Sequence, residues 1–447
     1  MSDIRRSGQN RPTQEHQALR EEDLELPQES AQETAPQETS DQVEQKRRPT
    51  AMGHEASTTA ISALSSPQGL SATAGRRTGE HHLHLPFSAD LYADPTAHRL
   101  AHSYANLVDF LGEEVEEALG LNKSFIGRLG LIGVEGSLIA WSALANHEAG
   151  HVHAAHRQGK KSWIEELNLT SGLSAAEGPF TSEDSYAFSA GGINRSELTT
   201  VELFKDNMRH GHRNLGEALQ LMISNLDDTR YINKTARLEA KYGSLLSSDD
   251  IGSLKYNLGK LGVEVSYRHM LAKSLVAEIF SPARWEAVKN GVEYLRKGER
   301  HFDLDTWRIG NLEGYMPHVA LLRSIKGDTF RINTTLNPRS ELPIALELDI
   351  RTDVNDWDVN ALGATVEFSN GLNLSDALIF SPYLEFGAPI KDNPLGAPEQ
   401  PLLGMGSRFR LNFSDHCRVV GDIGYGKFAD GRLHGELRGS AALVWAL

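Results

Sequence analysis

The chain has 447 residues, with 60 acidic against 45 basic and a formal charge of −15. That balance argues against a broad nucleic-acid interface, which needs a basic face. The single cysteine, Cys417, excludes a disulfide framework or a cysteine-rich zinc module. A mean hydropathy of −0.39 excludes a polytopic helical membrane protein but not a β-barrel, whose alternating signal is weak.

Residues 1 to about 50 are rich in Gln and Glu and nearly free of aromatics. Such a stretch cannot bury enough apolar surface to offset its ordering entropy. From about 51 to 80, Ala, Ser, Thr and Gly read as linker. The expectation for 1–85 is therefore a disordered acidic tail. No apolar h-region follows Met1-Ser2-Asp3-Ile4-Arg5-Arg6, so a cytoplasmic location is expected, with a bacterial envelope or non-classical export as the alternative. His81-His82-Leu83-His84 reads as a boundary loop, although such tracts bind metal adventitiously.

The next segment, 86–317, reads as helical. Leu100, Tyr104, Leu107, Val108, Leu111, Val115 and Leu119 recur at helical spacing, with Gly120 as the C-cap. The apolar run from Leu129 to Ala145 is interrupted by Glu135. It is short for a membrane span, so a buried helix is expected. Residues 168–196 read as loop, helical patterns return at about 197–225 and 248–280, and Ser281-Pro282 opens another helix. After about 317 the period changes from 3.6 to 2. Strands are predicted near 328–336, 343–352, 358–368, 379–388, 403–413, 417–428 and 433–446, separated by turn signals such as Asn370-Gly371 and Asp430-Gly431. The fold class is thus α+β, with a disordered tail, a helical region and a C-terminal antiparallel sheet or small barrel over 318–447. That end reads either as a scaffold or binding surface, or as an outer-membrane-type barrel with possible membrane association. The missing leader and the terminal Leu447, where such barrels resemble one another in ending on an aromatic, count against the barrel. Nothing in the sequence sets the oligomeric state.

The apolar helix runs into His147-Glu148-Ala149-Gly150-His151, an H-E-x-x-H motif. Positions four apart share a helix face, so both imidazoles can reach one metal ion. Glu148 projects beside it as a general base. Zn2+ suits this set because it keeps an open fourth position and lowers the pKa of water towards 7. The alternative is an ordinary helix with two histidines and a structural role.

His-Glu-Ala-Gly-His after an apolar helix resembles the active-site helix of zincin metallopeptidases, gluzincin-like in type, over about 125–215. The resemblance implies zinc-dependent hydrolysis of a peptide or protein substrate, with His147 and His151 as ligands and Glu148 as base. It also implies a third ligand from a later helix, in a Glu-x-x-x-Asp pattern. Glu202 with Asp206 behind it fits that spacing, and Glu197 is the rival. His153 and His156 read as polar-face residues, and His210-Gly211-His212 as a helix end or turn. Tyr186, Tyr231 and Tyr267 are equal candidates for an oxyanion donor.

Overall fold

A computed structural model of the chain describes residues 81–87, 94–242, 249–375, 377–391, 399–414, 416–426 and 436–446. Nearly all of the expected tail, and the predicted Asp430-Gly431 turn, lie outside these residues. Seven helices are described: α1 (Asp94–Leu119), α2 (Phe125–Arg157), α3 (Ser182–His210), α4 (Leu215–Tyr242), α5 (Asp250–Lys260), α6 (Tyr267–Ile279) and α7 (Pro282–Lys297). Their ends follow local chemistry. The Ser124 side chain caps α2 by accepting from Gly127 N–H. Thr181 and Asp184 form a reciprocal capping box on α3. Gly211, at φ 78°, ends it.

Strand β1 (His82–Phe87) precedes the helices, and the hairpin β2 (Lys161–Leu167) and β3 (Gly172–Glu177) follows α2. The short pair β4 (His212–Asn214) and β5 (His301–Asp303) stands apart. The remaining strands are β6 (Thr306–Ile309), β7 (Leu312–Tyr315), β8 (His318–Ser324), β9 (Gly327–Leu336), β10 (Ile344–Thr352), β11 (Val359–Phe368), β12 (Leu372–Ser375), β13 (Leu378–Pro389), β14 (Leu402–Ser414), β15 (Cys417–Gly426) and β16 (Glu436–Ala446). They join β1 in a twelve-stranded sheet whose main path runs β1-β16-β15-β14-β13-β11-β10-β9-β7-β6. The period-2 strands predicted after 317 are all present.

Three expectations change. The boundary loop at His81–His84 is strand β1, registered as Leu83↔Trp445 and Leu85↔Leu443. Residues Thr78–Leu447 consequently form one compact unit rather than separate domains at 86–317 and 318–447. The expected loop at 168–196 contains β3 and the first half of α3, because its small residues are packing positions on a helix. In α2, burial is continuous only from Asn146 to Val152. Ile126, Leu129, Val134 and Leu138 in its first half are exposed. Among the described residues α2 is the one helix long and apolar enough to cross a membrane.

The sheet curls around the end of α3. Within Lys205–His210, Lys205 meets Glu347 of β10 at 2.8 Å and Met208 meets Thr335 of β9 at 3.3 Å. His210 meets Arg418 of β15 at 3.2 Å, and Asp206 lies 3.9 Å from His84 of β1. Laid flat, β9 to β1 would cover about 34 Å, several times the reach of one helix, which is about 10–12 Å across. The inner face is charged. Arg331 holds Asp349 in a two-pronged pair at 2.9 Å, and Arg408 holds Glu367 at 2.6 Å. The outer face is apolar. Leu346, Val366, Leu384, Met405, Tyr425 and Leu437 stand in one register row across six strands, and the last four are exposed.

Glu135, the charge inside the apolar run, meets Arg300 at 2.8 Å. Arg300 also binds Asp109 at 2.6 Å and Glu116 at 2.9 Å. Three buried carboxylates share one guanidinium, with His81 also 2.8 Å from Asp109, and this crowding favours a proton on one of them. Burial, with Asp109 and Glu116 nearby, pushes Glu135 up to about 7 despite Arg300. The folded chain then holds a proton that the unfolded chain releases near pH 4.5. The cost of this group to stability grows as pH rises from about 4.5 to about 7 and is level above that. Glu135→Gln should gain on the order of 1 kcal/mol over the native chain between pH 6 and pH 8.5 in urea unfolding. An unchanged difference between the two pH values would refute the shared-proton arrangement.

Candidate metal centre

The H-E-x-x-H segment lies where α2 crosses α3, and the crossing is made of glycines. A Cβ on Gly191 would stand 2.6 Å from Gly150 O, and one on Gly150 would overlap the Gly191 carbonyl. This contact lays α3 directly over the two imidazoles. A Cβ on Gly192 would fall 2.5 Å from Nε2 of both His147 and His151. The pocket in front of those nitrogens exists because position 192 has no side chain.

Both histidines are buried and both present Nε2 to one carboxylate oxygen. Asp250 Oδ2 lies 3.0 Å from His147 Nε2 and 3.3 Å from His151 Nε2. Tetrahedral ligands at 2.0–2.1 Å from a zinc ion stand about 3.4 Å apart, so these spacings fit. His151 Nδ1 donates to Phe188 O at 2.7 Å, which leaves its Nε2 lone pair facing the centre. Ser196 Oγ lies 3.4 Å from His147 Nδ1. Such outer contacts fix ring orientation and tautomer in metal sites. Burial alone would raise the Asp250 carboxyl, but the two imidazoles opposite it hold it well below the usual carboxylate range. Burial opposes the charged form of His151, yet Asp250 raises its pKa overall.

Asp250 is delivered by the start of α5. Asp249 is the N-cap, its side chain accepting from Gly252 N–H at 2.6 Å and from Thr235 Oγ1 at 2.8 Å. Asp250 therefore opens the first turn, and Ser253 one turn later bonds Ser189 of α3 at 2.8 Å. Ile193 of α3 and Ile251 of α5 lie in one buried cluster behind the site.

Glu148 does not join the ligand group. Its Oε2 accepts from Ser174 Oγ of β3 at 2.7 Å. The hairpin backbone closes over it, since a Cβ on Gly172 would lie 2.5 Å from Glu148 Cγ.

Neither carboxylate expected as third ligand is in this group. Glu202 binds Lys205 at 3.0 Å. Its side chain is 39% exposed, and Lys205 and Arg408 hold it well below the usual range. It lies ten residues past Gly192, about 15 Å further along α3. Glu197 pairs with Arg284 at 2.9 Å, and burial pushes it up to about 7. It follows Ser196, so it points about 100° around the helix from the face that meets His147. Asp206 lies near His102 and His84 instead of orienting a ligand here. The third carboxylate is Asp250, three helices beyond the motif, in a Ser-Ser-Asp-Asp string that reads as a helix cap. Of the tyrosines, Tyr231 lies with its ring centroid 6.0 Å from that of His147. The Tyr267 hydroxyl is committed to Glu239, and Tyr186 is in the buried core.

Asp250→Ala and Gly192→Ala should each lose one equivalent of Zn2+ relative to the native chain. Glu202→Gln and Glu197→Gln should lose none. Elemental analysis of folded protein checks this, and an undiminished zinc count in Asp250→Ala would remove Asp250 from the site. Comparison of the chain with protein-family models, with curated proteins and with solved structures finds no match, so the functional reading stands on this geometry.

Proposed function

We propose that the chain is a metal-dependent hydrolase of peptide bonds, with Zn2+ held by His147, His151 and Asp250 and with Glu148 as general base. The observation that carries this reading is the convergence of two imidazole Nε2 atoms and one carboxylate oxygen, with a second carboxylate beside them that has another partner. The bound metal would polarise the scissile carbonyl and lower the pKa of water.

The chain's own residues supply the rest. Glu148, aimed by Ser174, takes the proton from the attacking water and passes it to the leaving amine. Tyr231, whose ring lies beside that of His147, is the candidate donor for the developing oxyanion. Strand β3 has no partner on its second edge among the described residues. An extended peptide pairing there would pass beside Glu148.

The outer face of the sheet supports a membrane-associated location. Apolar positions cover about 29 Å across seven strands and about 26 Å along them. That exceeds the few hundred Å2 a soluble surface leaves exposed, and apolar side chains outward with polar ones inward is the alternation of sheets that face acyl chains. The charged side chains point inward around α3, the reverse of a sheet that faces water. We read lipid as the occupant of this face, and protein substrates at the membrane follow as the class within reach.

Glu148→Gln should keep the native zinc count and lose about 10²–10⁴-fold in turnover of a quenched peptide library. Tyr231→Phe should lose about 10²-fold in kcat with little change in KM. Native protein without chelator-sensitive cleavage would leave a non-catalytic membrane β-protein as the better reading. The full chain should float with phosphatidylcholine–phosphatidylglycerol vesicles, and the Leu384→Asp, Met405→Asp double variant should not. Equal recovery of both, or a native dimer that ignores vesicles, would assign this face to protein contacts.

A further inference from the structure

A second group of ligating side chains lies at the other end of α3. His84 on β1, His102 on α1 and Asp206 on α3 bring one ligand atom each within 4.8 Å of one another. His102 Nδ1 stands 3.3 Å and His84 Nε2 3.9 Å from Asp206 Oδ2. The His84 side chain is 8% exposed, and neither of its nitrogens has a hydrogen-bond partner. Asp206 Oδ2 is likewise buried without one. Burying polar atoms in this way is costly unless something completes their bonding.

The unpartnered His84 nitrogens and Asp206 Oδ2 face one another across His102, where a cation would complete their bonding. His102 Nε2 lies 2.7 Å from Glu217 Oε1. Glu217 also accepts from Asn214 N–H at 3.0 Å and Asn106 Nδ2 at 3.3 Å. A carboxylate so placed takes the N–H of Nε2, which leaves Nδ1 as the atom that faces Asp206. Two acceptors 3.3 Å apart repel unless a proton or a metal ion lies between them. A carboxylate behind the far nitrogen of a metal-binding histidine is a recurring outer contact. His210 approaches Asp206 at 4.0 Å, but Arg418 donates to its Nε2 at 3.2 Å. That fixes a proton on Nδ1, so His210 is not a ligand.

We propose that His84, His102 and Asp206 form a second, structural metal site for a divalent ion of the zinc type, with Glu217 orienting His102. Two imidazoles and a carboxylate suit Zn2+ and its spectroscopic substitute Co2+. Gly192 and Asp206 are 14 residues apart on α3, which separates the two centres by about 21 Å. They are therefore not the halves of a dinuclear catalytic site, whose ions stand about 3.5–4 Å apart. The second ion would clamp the terminal strand of the sheet to α1 and to the helix that covers the first centre.

The test is the zinc stoichiometry of the full chain after reconstitution with Zn2+ alone and dialysis. Native protein should hold two equivalents. His147→Ala should hold one, His102→Ala or His84→Ala one, and the His147→Ala, His102→Ala double variant none. Glu217→Gln should weaken the second equivalent 10–100-fold. Chelation should lower the Tm of His147→Ala by several degrees and leave that of the double variant unchanged. Native protein with a single equivalent that His147→Ala abolishes would overturn the proposal, and this arm needs no change at the second site. A proton bridging His102 and Asp206 is then the occupant. A single equivalent that survives His147→Ala and is lost in His102→Ala would uphold the second site while removing the peptidase reading.

Discussion

The crossing of α2 and α3 at Gly150 and Gly191 is the contact on which the rest depends. Backbone meets backbone there, and any side chain at either position would push the helices apart. Because they touch, Gly192 lies over the imidazoles of His147 and His151 and leaves a space of atomic size between their nitrogens. Because α3 is held in that place, Ser189 can bond Ser253 and seat the start of α5, which carries Asp250. One steric condition thus sets the two histidines of α2 against a carboxylate 103 residues beyond His147.

Helix α3 also links this centre to the sheet. Its first half covers the H-E-x-x-H segment, and its last turns lie in the trough of the curled strands. The charges of Lys205, Glu347, Glu367 and Arg408 meet there, largely shielded from water. Buried ion pairs add little net stability compared with apolar packing. They do penalise misplacement, since a shift of α3 against the strands would strand several charges. The same inward polarity leaves apolar side chains on the outside, and this is the physical basis for reading that face as a lipid contact.

The strands were legible because their signal is local. Alternation with period 2 depends only on one face differing from the other, and it does so even though the polar face is the inner one. Helix α1 was legible for the same reason at period 3.6. The stretch 168–196 was not. Gly, Ser and Ala imply a loop by propensity, and only packing against a second helix makes small residues favourable inside α3. The His81–His84 tract was misread as a loop because its strand partner, β16, lies at the opposite end of the chain.

Sequence alone determined helix α1, the strands after residue 317 and the pair of histidines with Glu148 between them, because each of these rests on a local period. Tertiary structure decided which carboxylate joins them. Glu202 and Glu197 had suitable spacing along the chain, but their own ion pairs and their rotation about α3 turn them elsewhere. Asp250 reads as an ordinary helix cap until α5 docks on α3. A side-chain group that joins α2 to α5 across α3 depends on a crossing distance, and no linear pattern records that distance.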